Sequence, residues 1–148
     1  MELEKRSFPT KEALYEAVQA AAAGMLRETD DACAALANVS ALLMLFLPDV
    51  SWTGFYLLKR GRLVLGPFQG RPAEAELPLG YGVCGTAAAE RRTQIVADVS
   101  ASEIAVPLLD GGALFGVLHI ASRKPARFDE EDAAGLARLA DRLCKTLF

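Results

Sequence analysis

The sequence predicts a single α+β domain in which helices cover an antiparallel sheet. Two helical stretches come first, short apolar strands with one short helix among them follow, and an amphipathic helix comes last. The residues Asp110-Gly111-Gly112 form a hairpin signal between the last two strands, which indicates antiparallel pairing. A chain of 148 residues can bury one core, so residues 1–148 are expected to form one domain.

The helices are predicted from capping residues and apolar spacing. Thr10 caps a first helix whose apolar stripe begins at Leu14. The residues Thr29-Asp30-Asp31 precede a second helix at 32–47, which is apolar on almost all sides and is therefore expected to be buried by the sheet or by a second chain. Four acids at 129–132 open the last helix, where the helix dipole favours negative charge, and we expect no metal site there.

The strands are predicted from short apolar runs that lie between turn residues. They are expected at 51–58, 62–65, 93–99, 103–109 and 114–121. The pair Gly66-Pro67 is expected to end the second strand, which leaves 66–79 as a loop or an irregular edge. A short alanine-rich helix is expected at 82–91. The last strand is apolar throughout, which favours a central position in the sheet.

Composition and charge exclude several classes of function. The net charge is −3 and no basic stripe is present, which argues against a nucleic-acid partner. The most apolar run, 39–50, is too short to span a bilayer, and the first residues lack the apolar core of a signal peptide, so we expect a cytoplasmic protein without a membrane partner. Three cysteines form no disulfide framework, and Cys33 and Cys144, on apolar helical faces, are expected in the core.

The stretch from 51 to 85 is rich in aromatic residues and glycine. Trp52 and Tyr56 are separated by an even number of residues and share one face of a strand. Glycines around Cys84 allow the backbone to approach whatever occupies the space above it. The stretch therefore predicts one wall and the floor of a small-molecule pocket, and the alternative is an ordinary aromatic core between strand and helix.

Several segments of the chain resemble one protein family in the same order. These segments are SWTGFYL, LVLGPFQGRPA, GYGVCGTA, QIVADV, SEIAVPL, GVLHIAS and FDEEDAAGLARLA. They resemble the GAF-domain family of free methionine-(R)-sulfoxide reductases, and the resemblance extends from about Thr10 to Leu143. It implies a GAF fold, with a central antiparallel sheet, helices packed mainly on one face and a ligand pocket on the other. It also implies reduction of the free sulfoxide by a cysteine thiolate, with no bound cofactor and with thioredoxin as the external reductant.

The chain departs from the family pattern at positions that carry this chemistry. Where the family has a cysteine after Pro-Ala, this chain has Glu74. Where the final strand of the family has two aspartates, it has His119 and Ala121. Between the segments ADV and SEI the family also has a long loop that bears the attacking cysteine, and here Val99-Ser100-Ala101-Ser102-Glu103 closes that gap almost directly. Cys84 is the one cysteine that matches a family position.

Five residues are the candidates for ligand binding. Trp52 and Tyr56 would form an aromatic wall for the methyl-sulfur end of the ligand. Glu103 would bind a ligand amine, or it is a strand-end residue in water. By family position, His119 would face the pocket and hydrogen-bond a carboxylate or a sulfoxide, and the alternative is a structural role. Asp98 would contact the ligand or only cap a turn.

Cys84 is the candidate catalytic residue. It lies near a helix start, where the helix dipole and free N–H groups stabilise a thiolate. The alternative is a small buried side chain that packs against the sheet.

The sequence predicts a GAF-type binding protein for methionine sulfoxide or a related small polar molecule, with weak or no redox activity. The alternative is an active L-methionine (R)-S-oxide reductase. It would use Cys84 with an external thiol, or a cysteine on a loop between Val99 and Ser100 that this sequence does not contain. The apolar helix at 32–47 further predicts a homodimer, because GAF domains commonly pair through helices.

Overall fold

The computed structural model of the chain describes residues 3–98 and 101–148. The elements are α1 (Lys11–Glu28), α2 (Ala32–Phe46), β1 (Trp52–Lys59), β2 (Arg62–Gln69), β3 (Glu76–Pro78), α3 (Gly82–Glu90), β4 (Gln94–Ala97), β5 (Ser102–Asp110), β6 (Ala113–Ser122) and α4 (Glu130–Leu147). The strands form one antiparallel sheet in the order β3-β2-β1-β6-β5-β4. The predicted α+β class is confirmed. The sequence also predicted a strand as far as Val99, a residue that lies outside the described ranges.

The apolar strand β6 is central, as its composition predicts, and pairs with β1 on one side and β5 on the other. A two-residue turn joins β5 to β6, and Asp110 pairs with Ala113 across it. Both turn residues are in the left-handed region, with φ of 56° at Gly111 and 87° at Gly112. Such a turn twists the backbone in the sense that the two strands require, which explains the Asp-Gly-Gly sequence.

Three helices cover one face of the sheet, and α3 lies on the other. Alternate residues of the strands point toward α1, α2 and α4, among them Phe55, Ile104 and Leu118, which are fully buried. The residues between them point toward α3, where Ala105 and Val117 belong to a second and smaller cluster. Helices therefore pack mainly on one face, as the fold prediction states.

The prediction that β2 ends at Gly66-Pro67 is wrong, because the strand continues to Gln69. The register places Tyr56 opposite Leu65 but Gly54 opposite Phe68, so Gly66 and Pro67 together face one residue of β1. This arrangement is a β-bulge, where a proline can be accommodated because the ladder is locally interrupted. The expected loop at 66–79 also contains the short strand β3.

The predicted helix starts are confirmed by their caps. Thr10 accepts a hydrogen bond from the backbone N–H of Ala13, and Asp31 accepts one from Ala34. At the start of α4, Asp129 and Asp132 form a reciprocal capping box. These contacts satisfy backbone donors that have no partner within the helix.

Asp132 also has a role that the sequence did not reveal. Its carboxylate is completely buried and accepts hydrogen bonds from the Tyr15 hydroxyl at 2.6 Å and the Lys11 ammonium at 2.7 Å. The guanidinium of Arg127, itself buried, lies 3.5 Å from the same carboxylate. A residue expected only at a helix start thus connects α4 to the first turns of α1.

The two cysteines that the sequence placed in the core differ in the structure. Cys144 is buried in α4, as expected, but Cys33 is exposed in the first turn of α2. The prediction for Cys33 is wrong because only one side of α2 packs on the sheet and on α1. Among the described residues, no helix combines the length and the hydrophobicity that a membrane span requires.

Candidate ligand pocket

A cavity of about 270 Å³ lies between α3 and the sheet, on the face opposite the three large helices. It is lined by Tyr56, Glu74, Leu77, Tyr81, Gly82, Val83, Cys84, Glu103 and His119. The structure thus brings together five residues that the sequence singled out as candidates or departures from the family: Tyr56, Glu74, Cys84, Glu103 and His119. Glu74 is among the lining residues although its side chain is exposed.

Trp52 packs against two residues that line the cavity, Tyr56 and His119, without lining it itself. Its ring packs against Tyr56, Phe68 and His119, at centroid distances of 6.3, 5.2 and 5.2 Å. Its indole N–H donates to the carbonyl oxygen of Arg71 at 2.9 Å. The predicted shared face with Tyr56 is confirmed, but Trp52 is not among the residues that line the cavity.

Glycine makes room for the indole of Trp52. At Gly70, which has a φ of 133°, a Cβ atom would lie 2.6 Å from the Trp52 ring. At Gly54 a Cβ atom would lie 2.9 Å from the far end of the same ring. A larger residue at Gly70 would therefore displace the Trp52 ring, and one at Gly54 would collide with Phe68 of β2 as well as with the ring.

Tyr56 contributes a neutral phenol to the cavity. Its hydroxyl donates a hydrogen bond to the carbonyl oxygen of Glu74 at 2.8 Å, which fixes the ring against the segment that precedes β3. Burial raises the pKa of Tyr56 to about 12, and the negative charges of Glu74 and of Cys84, when that thiol is ionised, act in the same direction. The phenol is therefore protonated at neutral pH.

Glu103 and His119 form the polar pair of the pocket. They lie on β5 and β6, diagonally across the ladder, and the His119 Nε2 atom is 2.8 Å from a Glu103 carboxylate oxygen. The hydrogen bond from His119 lowers the pKa of Glu103, although burial opposes this shift. The second ring nitrogen of His119, Nδ1, is buried and has no hydrogen-bond partner among the described residues.

Cys84 is held in the first turn of α3 by the glycines on either side. Gly82 has a φ of 67°, and a Cβ atom at Gly85 would lie 2.7 Å from the carbonyl oxygen of Pro78. Burial raises the pKa of the Cys84 thiol to about 12, and the negative charge of Glu103 adds to this effect. The thiol is therefore protonated at neutral pH, because burial outweighs the favourable position at the helix start.

Two other positions from the sequence lie away from the cavity. Asp98 is exposed after β4, and its backbone N–H donates to the carbonyl oxygen of Ala101 at 2.9 Å. Ala121 pairs with Glu103 across the ladder and carries no polar group into the pocket. The connection Val99-Ser100, where the family has its cysteine loop, lies outside the described residues.

The apolar part of the lining was not predicted. Leu77 and Val83 flank the start of α3 and reach the same cavity as Tyr81. The signal that could have revealed them is the GYGVCG motif at residues 80–85. Val83 belongs to this motif and Leu77 lies three residues before it, so both are close in sequence to Cys84. In the described part of the chain no group of three His, Cys, Asp or Glu residues is arranged to hold a metal ion.

The sheet order, the helices on one face and the pocket beneath α3 are those of a GAF domain. A family model described as "GAF domain" matches residues 12–143. Among relatives, the free methionine-R-sulfoxide reductase of Escherichia coli is 46% identical over 126 residues, which cover 77% of this chain and 76% of the relative. The protein YtsP of Bacillus subtilis is 42% identical over an alignment of 151 positions, gaps included, which covers 93% of each chain.

Solved structures of free methionine-R-sulfoxide reductases are also similar to this chain. The structure of fRMsr of Staphylococcus aureus in complex with substrate has a TM-score of 0.86 and 40% identity, and covers 90% of this chain and 95% of that chain. The free methionine-R-sulfoxide reductase of Neisseria meningitidis in complex with its substrate has a TM-score of 0.90 and 38% identity, and covers 99% and 95%. The chain belongs to the GAF-domain family that includes the free methionine-R-sulfoxide reductases.

Proposed function

We propose that this protein is a GAF-type binding protein for a small polar molecule, with little or no sulfoxide reductase activity. The observation that carries the proposal is that one thiol, without a second one, lines the cavity in the described structure. Cys84 is the single cysteine that lines the cavity of the described structure, and burial keeps it protonated at neutral pH. A sulfoxide reductase of this family type needs a thiolate and a second thiol within reach.

The positions of the other cysteines support this proposal. The chain has three cysteines, and all of them are free. Cys33 lies on α2 and Cys144 on α4, so both belong to helices on the opposite face of the sheet from Cys84. A disulfide requires Cα atoms within about 7 Å of each other, a condition that residues on opposite faces of a packed sheet do not meet.

The comparison with relatives gives separate support. The alignment with YtsP extends over 151 positions, more than the 148 residues of this chain, although it covers only 93% of them. YtsP therefore contains residues that have no counterpart here. This difference supports our interpretation of Val99-Ser100 as a shortened connection that lacks the cysteine loop of the family.

The ligand we propose is methionine sulfoxide or a related small polar molecule. Two relatives were solved in complex with their substrates, and the homologous pocket is the natural place for a ligand of similar size. A cavity of about 270 Å³ has room for one amino-acid-sized molecule. Tyr56 and Leu77 would contact its apolar part, and Glu103 would accept a hydrogen bond from its amine.

An assay with free L-methionine-(R)-sulfoxide, thioredoxin, thioredoxin reductase and NADPH tests the proposal. We expect NADPH consumption no faster than that of the Cys84→Ser variant, because the wild-type protein has no pair of thiols to complete the cycle. The reductase of Escherichia coli serves as the positive control. A titration followed by the emission of Trp52 should still show saturable binding, because this residue contacts Tyr56 and His119. Robust turnover by the wild-type protein would contradict the proposal.

A second candidate function is a reductase that uses Cys84 alone. The position of Cys84 in the pocket beside Glu103 favours it. Attack of its thiolate on the sulfoxide sulfur would reduce the ligand to methionine and oxidise Cys84 to a sulfenic acid. An external thiol would then displace water to form a mixed disulfide, and a second thiol would release Cys84. Turnover that persists after Cys84→Ser would exclude this candidate.

We also propose that two chains associate through α2. The helix buries one side against the sheet and leaves mostly small residues exposed on the other. These residues are Cys33, Ala34, Ala37, Asn38 and Ala41. Small side chains allow two helices to approach closely, which supports α2 as the contact. Light scattering at micromolar concentration should give twice the mass of one chain, and a monomer would contradict the proposal.

The proposed compartment is the cytoplasm, with thioredoxin as the external reductant if any turnover occurs. Three free cysteines, without a disulfide framework, support a reducing compartment. No bound cofactor is part of the proposal.

A further inference from the structure

A second cavity, of about 500 Å³, lies at the start of α1. It is lined by the segment that precedes this helix, by the end of α2 and the turn after it, and by the connection from β6 to α4. Its charged lining residues are five cations and one acid: Lys5, Arg6, Lys11, Lys124, Arg127 and Asp49. The whole chain has 19 acids against 16 lysines and arginines, so this gathering of cations is opposite to its composition.

Arg127 is the buried cation of this basic cavity. Its side chain is only 5% exposed, its Nε atom donates to the carbonyl oxygen of Pro48 at 2.8 Å, and its Nη1 atom lies 3.5 Å from the Asp132 carboxylate. These contacts fix the guanidinium plane. Within the described residues Nη2 makes no hydrogen bond, and it is not fully enclosed by protein. An anionic oxygen at Nη2 would therefore complete the hydrogen bonding of a fixed, buried guanidinium.

Two other cations of the basic cavity have no acidic partner. Lys5 and Arg6 form no ion pair with a described residue, and the guanidinium of Arg6 lies over the Phe8 ring at 5.1 Å from its centroid. Two carboxylates bond Lys11, and one lies 3.7 Å from Lys124. Five cations thus meet three acids, and two positive charges remain. This excess matches a phosphate monoester, which carries close to two negative charges at neutral pH.

The remainder of the basic cavity is largely apolar. Phe8 packs on Phe46 with their ring centroids 5.6 Å apart, and Leu14 and Pro48 line the same space. Phe8 is half-buried, so part of its ring stays accessible. Cavities of this size with apolar walls and a few charged groups are typical of sites for small molecules. A ligand with an apolar group beside its phosphate would use both parts of the lining.

We propose that the basic cavity binds a small phosphate monoester, with its phosphate at Lys5, Arg6 and Arg127 and its apolar group against Phe8. The site is distinct from the ligand pocket that contains Cys84, because the two cavities share no lining residue. It also lies on the other side of the sheet, among residues of the larger hydrophobic cluster. It therefore goes beyond the proposed function and does not depend on it.

Three probes separate the charged and the apolar parts of the site. They are phenyl phosphate, inorganic phosphate and phenol, each titrated by calorimetry in a buffer free of phosphate and sulfate. We expect phenyl phosphate to bind about tenfold more tightly than inorganic phosphate, and more weakly as the salt concentration rises. Phenol alone should not bind. Equal affinity for the two phosphates, or no saturable binding of phenyl phosphate below about 10 mM, would contradict the assignment.

A pair of double variants tests whether the cations of this cavity bind the phosphate. Lys5→Gln with Arg6→Gln should weaken phenyl phosphate about tenfold or more, because two charged contacts are lost. The matched control, Lys59→Gln with Arg60→Gln, removes the same two charges from exposed positions at the turn between β1 and β2 and should change the affinity less than about twofold. Equal weakening by both pairs would show an effect of overall charge, and the site would be wrong.

A third variant tests the apolar contact. Phe8→Leu should weaken phenyl phosphate about threefold and leave inorganic phosphate unchanged, because only the monoester has a group that contacts this ring. An equal loss for both probes would contradict the predicted contact. Circular dichroism confirms that each variant is folded before its affinity is measured.

Two further measurements establish the source of the phosphate and the independence of the site. Vesicles that contain phosphatidic acid should not sediment with the protein. Sedimentation that is lost in the Lys5→Gln, Arg6→Gln variant would assign the cations to a lipid headgroup and overturn the small-molecule assignment. A high concentration of methionine sulfoxide should not change the affinity for phenyl phosphate, and competition between the two would show that they share one cavity.

Discussion

Replacement of Asp132 by alanine is expected to lower the free energy of unfolding by about 3–5 kcal/mol, as breaking a buried ionic network does. The carboxylate is fully buried, and it accepts hydrogen bonds from Tyr15 and Lys11. Its removal leaves the hydroxyl of Tyr15 and the guanidinium of Arg127 buried without their carboxylate partner. Urea denaturation followed by circular dichroism measures the effect.

Two further variants test whether the loss comes from the buried network. Asp141→Ala removes an exposed carboxylate from the same helix, where it pairs with Lys145, and should change stability by less than about 0.5 kcal/mol. Tyr15→Phe removes one donor and leaves the other partners of Asp132 in place, so we expect an intermediate loss of about 1.5–3 kcal/mol. A loss below about 1 kcal/mol for Asp132→Ala would show that the network contributes little.

Alkylation of Cys84 by iodoacetamide is expected to be at least about a hundredfold slower in the folded protein than in the unfolded chain at pH 8. Burial raises the pKa of this thiol from its ordinary 9.0 to about 12, which corresponds to a roughly thousandfold smaller thiolate fraction below pH 9. The side chain is also only 3% exposed. Mass spectrometry of the peptide that contains Cys84 follows the reaction, with guanidinium-unfolded protein as the reference.

The same pKa shift determines how stability depends on pH. Between 9.0 and about 12 the unfolded chain loses the Cys84 proton while the folded chain keeps it. The contribution of this group to stability is therefore complete below pH 9 and decreases as the pH rises toward 12. Rapid alkylation of folded Cys84 near pH 7 would contradict the shift and would favour the reductase that uses this residue alone.

Local sequence features predicted the order of the elements because those features act over a few residues. The cap at Thr10 and the hairpin at Asp110-Gly111-Gly112 depend on neighbouring residues only, and both are confirmed. The face shared by Trp52 and Tyr56 follows from strand parity alone. Whether β2 would continue past Pro67 depended on its partner strand, because the bulge exists only in the pairing with β1.

The parts of the site that the sequence did not reveal depend on distant contacts. Trp52 was expected at the ligand, but Tyr56 lies at the cavity and the indole packs behind it against Phe68. Glu74 reaches the pocket because the Tyr56 hydroxyl binds its carbonyl oxygen. Asp132 meets Tyr15 across 117 positions of the chain, a separation that no local pattern encodes.

The sheet keeps the two hydrophobic clusters apart, and none of their buried residues belongs to both. Most of the buried apolar side chains lie on the side of α1, α2 and α4, so the larger share of the folding free energy arises there. The smaller cluster beneath α3 therefore contributes the smaller share of that free energy. Glu74, His119 and Ala121, the positions at which this chain departs from the family pattern, all lie on the side of the smaller cluster, so these departures leave the larger cluster intact.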